Sequence, residues 1–551
     1  MEKEIIKYAL LNAIKFDGKA NPGAVMGKLI SEHPELKQNA KELSKKVLSI
    51  VKEINKLSLG EQKKKFSELF PEYKERKKKE KEKDLPPLKK VKYGKIVTRI
   101  APEPSKHIHL GHALSFVINY YYAKRYGGKC ILRFEDTNPA TAKKEFYKEI
   151  EKDIKWLKIN YDKKLIVSNH MPIFYKYAKK LIEKGNAYVC FCPKEKMDRF
   201  RQKSMICDCR ENSVEKNLIE WKKMLSKKYK EGECTLRLKG IMDSFNAVMR
   251  DPVIFRICKE KHPIQGKKYA VWPMYDFENA IEDSINGVTH IFRSSEFGTM
   301  RVELQNYIKE LLNLKKQEVV QYTRFNVIGA ITKGREIRKL IKEKKVIGWD
   351  DPRLVTIKAL RRRGIQPETF HELIKEVGIS LSSKNIDFSL VASINRKILD
   401  PITPRYFFVA NPKLIKIKNA PKMVAEIEVH PDKPEMGKRK LIAHDKFYVS
   451  DDIKKGKIYR LKHLFNFKDF KFISTDYIPQ LNAEIIHWLP ADKKQLVKAE
   501  ILMPDCKLIK GFAEKSVKRL KIGSIVQFER FGFCRLDKKL KNSLRFWFTH
   551  K

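Results

Sequence analysis

A strand–turn–helix–strand arrangement in residues 95–136 is the feature that most constrains the fold of this chain. The β-rich run KIVTRIA is followed by the turn PEPSKH and by a helical pattern that extends from His109 to Tyr126. The segment KCILRFED, residues 129–136, predicts the next strand. Because two strands joined through a helix run parallel in one sheet, these residues predict a parallel sheet covered by helices.

Changes in residue pattern along the 551 residues predict a multidomain α/β protein. Apolar residues recur every three or four positions in the first 70 residues, which indicates helices, and alternate with polar residues after residue 400, which indicates β-strands. The predicted segments are 1–90 (a helical appendage ending in the charged linker 74–84), 91–186 and 271–334 (two halves of an α/β domain), 187–270 (an insertion), 335–398 (a helical connector) and 399–551 (an all-β region).

The charge of the chain indicates a polyanionic partner. Its 118 Lys and Arg residues exceed its 67 Asp and Glu residues, which gives a net charge of +51 at pH 7. A nucleic acid and an anionic membrane surface both fit that excess. The sequence contains no apolar run near the ~20 residues of a membrane-spanning helix, and its first residues lack the pattern of a signal peptide. We therefore expect a soluble cytoplasmic protein without a membrane partner.

Two histidines at the predicted start of the helix, His109 and His112, are candidates for phosphate binding. Gly111 lies between them and leaves room for a bulky ligand against the backbone. A helix N-terminus offers N–H groups and partial positive charge, and imidazoles can donate hydrogen bonds to phosphoryl oxygens as charge builds up. Taken alone, the pair fits a zinc site or an ordinary helix start better.

A cluster of cysteines predicts a metal site. Cys190, Cys192, Cys207 and Cys209 lie within 20 residues, among nine cysteines in the chain. Four thiolates can surround a tetrahedral Zn²⁺, and such a site is structural because no coordination position stays open. Reduced, buried cysteines are the alternative, and the clustering favours zinc.

The segment TRIAPEPSKHIHLGHA resembles the ATP-binding signature of the class I aminoacyl-tRNA synthetases, with HLGH in the place of the HIGH tetrapeptide. Three further segments are typical of the glutamyl and glutaminyl branch of that family and occur in its order. They are RFEDTNP (133–139), YDFENAIEDSINGVTHIFRSSEF (275–297) and GWDDPRLVTIKALRRRG (348–364). The resemblance implies a Rossmann-like catalytic domain, an inserted acceptor-end domain with a zinc knuckle, and two anticodon-binding β-barrels of the archaeal and eukaryotic type.

The resemblance also implies an amino-acid pocket. Arg99 would face the side-chain carboxylate of the substrate, and Glu135 would hold its α-ammonium group. Tyr275 and Asn279 would line the pocket. Arg293 stands where glutamyl enzymes carry arginine and the related glutaminyl enzyme carries an uncharged residue. Because a guanidinium pairs with a carboxylate better than with an amide, Arg293 favours glutamate, and a glutaminyl-tRNA synthetase is the alternative.

The activity implied by the resemblance is that of a glutamate–tRNA ligase. The α-carboxylate of glutamate attacks the α-phosphate of ATP, pyrophosphate leaves, and the glutamyl group passes to the 3′ end of tRNA(Glu). Mg²⁺ accompanies ATP, while His109 and His112 stabilise the charge that develops in the activation step. The resemblance leaves open whether tRNA(Gln) is charged as well.

One segment departs from the family pattern. The KMSKS signature, which supplies a lysine to the triphosphate, is replaced by Thr332-Lys333-Gly334-Arg335. Lys333 or Arg335 is the candidate for that role, and a catalytically weak tRNA-binding paralogue is the alternative.

Contacts with tRNA are predicted at three consecutive arginines, Arg361, Arg362 and Arg363, which lie close to the tRNA path in relatives. Arginines in such a cluster contact phosphates, although a solvated helix face is the alternative for each of them. We expect a monomer whose partners are tRNA, glutamate and ATP.

Overall fold

The computed structural model describes residues 2–16, 18–71, 83–382 and 384–551. Two compact units, Met1–Glu82 and Lys83–Lys551, make up the chain. Most of the predicted charged linker, residues 74–82, lies outside the described residues.

The described part of the first unit is helical, as the sequence predicts. The second helix starts at a local signal: Asn21 Oδ1 accepts hydrogen bonds from the N–H groups of Gly23 (2.8 Å) and Ala24 (3.1 Å), and Pro22 occupies the first helical position. Apolar side chains such as Leu10 form the buried core of this unit. The helices are α1 (Glu2–Lys15), α2 (Pro22–Glu32), α3 (Ala40–Ile54) and α4 (Leu59–Leu69).

The second unit begins with the predicted strand–turn–helix–strand arrangement, which is confirmed. Its first elements are β1 (Val97–Ile100), α5 (Leu110–Arg125), β2 (Lys129–Phe134), α6 (Lys144–Trp156), β3 (Lys163–Ile166) and α7 (Met171–Glu183). The three strands pair in parallel, with β2 in the middle. The side chains of Leu114 and Val117 in α5 are fully buried, so this helix covers the sheet with an apolar face.

An antiparallel sheet occupies the predicted insertion, residues 187–270, and its last strand lies just beyond the predicted end. Its elements are β4 (Ala187–Cys190), α8 (Lys194–Gln202), α9 (Val214–Leu225), β5 (Thr235–Leu238), β6 (Val253–Ile257) and β7 (Val271–Pro273). The four strands pair in sequence order. Phe255 of β6 packs in one buried cluster with Phe174 of α7 and Trp221 of α9, which anchors the insertion to the preceding helix.

After the insertion the chain returns to the parallel sheet. The elements are α10 (Tyr275–Ile285), β8 (His290–Ser294), α11 (Gly298–Leu312), β9 (Glu318–Tyr322), β10 (Phe325–Val327), α12 (Gly334–Lys342), α13 (Ile357–Arg363), α14 (Glu368–Val377), β11 (Lys384–Ile386) and α15 (Phe388–Leu399). The N–H of Thr289 donates to the carbonyl oxygen of Val97 at 2.9 Å, so β8 begins beside β1, and β9 pairs with β8 in parallel. β8 and β9 form their own two-stranded sheet beside the first, and residues at or after the carboxyl ends of β1, β2 and β8 line one cavity.

The C-terminal region is built from strands and short turns, as predicted. Its strands are β12 (Arg405–Tyr406), β13 (Phe408–Ala410), β14 (Lys413–Lys416), β15 (Met423–Glu428), β16 (Lys438–Ala443), β17 (Lys446–Val449), β18 (Ile458–Leu461), β19 (Asn466–Lys468), β20 (Lys471–Ser474), β21 (Glu484–Ile486), β22 (Trp488–Pro490), β23 (Leu496–Leu502), β24 (Leu508–Glu514), β25 (Ile525–Phe528), β26 (Gly532–Lys539) and β27 (Ser543–His550).

Two hydrophobic cores organise these strands, one around Trp488 and the other around Phe546. A seven-stranded sheet joins β12 and β13 to β23–β27, with the order β12-β25-β26-β27-β23-β24-β13. The chain therefore leaves this sheet after Ala410, builds the other core, and returns at Leu496. Most of the aromatic residues of this region are core residues.

Arg362 of α13 fastens the connector to the C-terminal region. Its guanidinium donates two hydrogen bonds of 2.8 Å to Asp537 and one of 2.7 Å to Asp350. It also stacks 4.2 Å from the ring of Trp547. The guanidinium is therefore occupied by contacts within the protein, and Arg362 holds the helical connector against the C-terminal region.

The neighbouring arginines differ in exposure. Arg363 is 6% exposed and donates to the carbonyl oxygen of Thr549 at 3.1 Å. The predicted phosphate contact is wrong for Arg363, because its guanidinium is enclosed by protein. Arg361 lies 3.6 Å from Asp153 and has the most exposed side chain of the three, at 33% against 24% for Arg362.

Among the described residues, no helix combines the length and the apolar character needed to cross a membrane.

Replacing Arg362 by Ala removes its hydrogen bonds to Asp537 and Asp350. We expect the C-terminal region to lose about 2 kcal/mol of unfolding free energy, because a hydrogen bond to a charged group contributes ~1.5–3 kcal/mol. Urea unfolding followed by tryptophan fluorescence measures the change. Lys339→Ala, at a position of α12 with a 75% exposed side chain, is the control; equal midpoints for the two variants would contradict the role of Arg362.

Candidate active site

A cavity of about 750 Å³ opens at the edge where β1, β2 and β8 end. Parallel sheets bind ligands at this edge because the side chains that follow the strands converge there. Seven of the predicted site residues line this cavity: Arg99, His109, Gly111, His112, Glu135, Tyr275 and Arg293.

The two histidines at the start of α5 are held by backbone hydrogen bonds. Nδ1 of His109 accepts from the N–H of Gly111 (3.1 Å), and Nδ1 of His112 accepts from the N–H of His109 (3.3 Å). Burial lowers the pKa of His109 to about 3 and the pKa of His112 well below its ordinary value, so both rings are neutral near pH 7. A neutral ring whose Nδ1 accepts carries its hydrogen on Nε2. Each ring therefore keeps one Nε2–H donor for a ligand of the cavity.

The first turn of α5 has fewer free backbone donors than the sequence predicts. The N–H groups of His109 and Gly111 donate to the imidazoles, and the N–H of Leu110 donates to the carbonyl oxygen of Val355 at 3.0 Å. These N–H groups are already paired, so the donors of this turn that stay available to a phosphate are those of the two imidazole rings. A Cβ at Gly111 would lie 3.1 Å from the His109 ring, so glycine permits this packing.

A buried carboxylate, Asp283 of α10, joins two arginines of neighbouring strands. Its Oδ1 accepts from Nε of Arg99 (3.1 Å) and from Nη1 of Arg133 (2.7 Å). Burial alone would raise the pKa of Asp283, but the guanidinium groups of Arg133 and Arg99 hold it well below its usual range. Nη2 of Arg133 also donates to Glu135 (2.8 Å) and to Asn279 (2.9 Å). Asn279 therefore supports Arg133 from behind the cavity wall and does not line the pocket, which corrects the prediction.

Arg293 of β8 lines the cavity and has two guanidinium nitrogen atoms without a hydrogen-bond partner among the described residues. It is 4% exposed, and its Nη1 donates to Oε1 of Gln305 at 3.0 Å, while Gln305 in turn donates to Asp276 at 2.9 Å. Its Nε and Nη2 have no hydrogen-bond partner within the described ranges. Buried donors without partners are costly, so this arrangement favours a ligand that supplies acceptor oxygens.

The loop predicted to replace the KMSKS signature touches the rim of the cavity without lining it. Lys333 and Arg335 are exposed and flank Gly334 at the start of α12. A Cβ at Gly334 would lie 2.7 Å from Cδ of Lys106, which does line the cavity. Arg324 also lines the cavity, and, besides burial, the positive charges of Lys106 and Arg324 both help to lower the pKa of His109. Lys106 and Arg324 are therefore the cations that the structure brings to this side of the cavity.

Sequence reasoning missed Arg133, Asp283 and Glu278, although all three lie in the segments that carry the resemblance. A signal for the acidic residues was present, because residues 276–283 contain four acidic side chains on one predicted helix between two strands. Carboxylates on a helix that packs against a sheet need buried cationic partners.

The four clustered cysteines come together. The Sγ atoms of Cys190 and Cys207 are 3.9 Å apart, as are those of Cys192 and Cys209, and all four lie within 4.8 Å of one another. Zn–S bonds of ~2.3 Å in tetrahedral geometry require sulfur atoms roughly 3.8 Å apart. The donor set and its spacing therefore fit a zinc ion.

Comparison of the sequence with known proteins identifies the family to which the chain belongs. Residues 95–401 match the catalytic domain of the tRNA synthetases class I (E and Q), and residues 403–485 and 485–537 match two anti-codon binding domains of the same class. The chain is 44% identical to a glutamate–tRNA ligase of Pyrococcus furiosus and 41% identical to one of Methanocaldococcus jannaschii, in both cases over 100% of both chains. It is also 44% identical to a glutamate–tRNA ligase of Pyrococcus abyssi, over 98% of this chain and 97% of that protein. The chain belongs to the class I tRNA synthetases of the E and Q family.

Proposed function

We propose that the chain activates glutamate with ATP and transfers the glutamyl group to the 3′ end of tRNA(Glu). The observation that carries the proposal is Arg293, whose buried Nε and Nη2 lie at the cavity without a partner from the described residues. A carboxylate offers two acceptor oxygens and a negative charge to these donors. The full-length relatives that are at least 41% identical carry the name of this activity.

The charges of the cavity match glutamate better than glutamine. Arg99 and Arg293 form a cationic part, and Glu135 belongs to an anionic part of the same lining. Glutamine would place an uncharged amide against Arg293 and leave the guanidinium without a negative partner. The arrangement therefore favours glutamate.

The nucleotide lies at the start of α5 in this proposal. The Nε2–H groups of His109 and His112 donate to oxygens of the α-phosphate while the substrate carboxylate attacks and pyrophosphate leaves. Lys106 and Arg324 face the departing phosphates. Lys333 or Arg335 reaches them from the rim, and Mg²⁺ accompanies ATP.

The remaining parts of the chain bind tRNA and keep the insertion folded. Zn²⁺ in the cysteine cluster supports the insertion, residues 187–270, which binds the acceptor end. Residues 399–551 bind the anticodon, and Arg361 contacts a phosphate from its exposed side. The division into segments, the cytoplasmic location and the monomeric state stay predictions. Charging purified tRNA(Glu) and tRNA(Gln) with labelled glutamate tests whether both are substrates.

Replacing Arg293 by Cys should lower kcat/KM for glutamate roughly 100-fold, because truncating one member of a buried charge pair costs several kcal/mol. The KM for ATP should stay within about threefold, since Arg293 does not touch the nucleotide in this proposal. ATP–pyrophosphate exchange in the presence of tRNA measures both constants. The control is Arg545→Cys, which removes an arginine paired with Glu500 far along the chain; equal losses for the two substrates would contradict the pocket assignment.

Replacing His109 by Asn should slow glutamyl-adenylate formation about 100-fold, because the shorter Asn amide caps the helix but does not bring a donor to the place of the His109 Nε2–H. Asn is a good N-cap residue, so the start of α5 should keep its fold. Single-turnover adenylate formation and tRNA binding by filter retention are the measurements. An unchanged activation rate, or a large loss of tRNA affinity, would contradict this role.

Metal analysis of the purified protein should find about one zinc per chain, as expected for a four-thiolate site. Cys207→Ser should lower the zinc content sharply, whereas Cys506→Ser, outside the cluster, should leave it unchanged. Protein without zinc, or equal zinc in both variants, would contradict the metal site and favour four reduced cysteines that bind no metal.

A further inference from the structure

Glu278 of α10 is a buried carboxylate that lines the cavity and that the proposed reaction has not yet used. Its side chain is 2% exposed. One oxygen, Oε2, accepts a short hydrogen bond from the hydroxyl of Thr137. The other, Oε1, is buried and has no hydrogen-bond partner in the part of the chain that the structure describes. A buried acceptor in this state indicates a missing donor.

The groups around Glu278 indicate that this donor is a cation. Burial and the neighbouring carboxylate of Glu135 raise the pKa of Glu278 well above its ordinary value. The cation that acts on it, Arg133, already donates to Asp283, Glu135 and Asn279. One guanidinium is therefore shared among several carboxylates, and a ligand that brings a positive charge to this part of the cavity would be stabilised.

The opposite imbalance exists beside Arg293. Its Nε and Nη2 have no partner within the described residues. Glu135 and Glu278, in contrast, are two carboxylates with a single cation, Arg133, acting on both. The cavity thus presents unpaired donors in one part and an unpaired carboxylate oxygen in another. An α-amino acid with an acidic side chain carries charges that satisfy both.

We propose that Glu278, together with Glu135, binds the α-ammonium group of the amino-acid substrate. The inference rests on the proposed function and adds a substrate-binding residue to it. Tyr275 and Glu278 lie three residues apart on α10 and so share one helix face toward the cavity. The N–H groups of the ammonium supply the donor that Oε1 lacks, and its charge compensates the two carboxylates.

The test replaces Glu278 by Gln and compares two ligands that differ only at the group in question. Glutamate carries an ammonium group where 2-hydroxyglutarate carries a hydroxyl. In tRNA-dependent ATP–pyrophosphate exchange we expect the KM for glutamate to rise at least about tenfold, as for loss of a charge-assisted hydrogen bond. The inhibition constant of 2-hydroxyglutarate should change less than about threefold, because it has no ammonium to lose.

The matched control is Glu282→Gln on the same helix. Glu282 is fully buried and accepts from His170 at 2.7 Å, but it does not line the cavity. This variant should leave the ratio of the two constants unchanged. An equal rise of both constants in Glu278→Gln would assign Glu278 a structural role through Thr137, and no change in either would show that it does not contact the substrate; both results would overturn the inference.

Two further measurements distinguish failure of this inference from failure of the proposed function and from misfolding of the variant. Wild-type protein that fails to exchange pyrophosphate with glutamate overturns the proposed function, whereas an active wild type with an unaffected Glu278→Gln overturns this inference alone. If circular dichroism shows that the variant does not fold, a crystal structure of the wild type with a non-hydrolysable glutamyl-adenylate analogue decides. The ammonium nitrogen should lie within about 3.2 Å of Oε1 of Glu278, and a separation beyond hydrogen-bond distance would overturn the inference.

Discussion

The cavity at the ends of the strands depends on the hydrogen bonds that the buried carboxylate of Asp283 accepts from two arginines. A single oxygen atom accepts from Arg99 at the end of β1 and from Arg133 near the end of β2, and Arg133 in turn holds Glu135. Two guanidinium groups of like charge would repel one another in the interior without this shared acceptor. In the proposed function, the parts of the cavity that receive the opposite charges of the substrate are thus held in place by Asp283, a buried residue that does not line the cavity itself.

The phosphate side of the cavity follows a different principle. Its donors are the Nε2–H groups of His109 and His112. The tautomer of each ring is set by the backbone, since each Nδ1 accepts from an N–H of the helix start. Neutral imidazoles in this tautomer present a hydrogen and no net charge. Full cations come from Lys106 and Arg324 in the lining and from Lys333 and Arg335 at the rim. In the proposed reaction, neutral donors held in place by the backbone suit charge that develops on the α-phosphate, and the cations suit the charge of the departing pyrophosphate.

The cluster of three arginines in α13 shows that consecutive basic residues can stabilise the fold itself. Three consecutive arginines look alike in the sequence, but a helix points them in different directions, about 100° apart. Arg362 pairs with Asp537 and Asp350, Arg363 is enclosed, and Arg361 keeps exposed surface. Arg362 and Arg363 link α13 to the seven-stranded sheet. That sheet combines strands from both ends of the C-terminal region.

Local patterns were sufficient to predict the elements and much of the pocket. The order of strand, helix and strand around His109 and the clustering of the four cysteines follow from residue spacing. The family resemblance implies that Arg99, Glu135 and Arg293 share one site, and all three line the same cavity. The resemblance also places Asn279 in the pocket, but its side chain accepts a hydrogen bond from Arg133 and does not line the cavity. The charge state and the pairing of buried groups required the tertiary structure. They depend on distances between side chains that are far apart in sequence, such as Arg133 and Asp283 or Thr137 and Glu278, and a buried charge takes its properties from the partners that surround it.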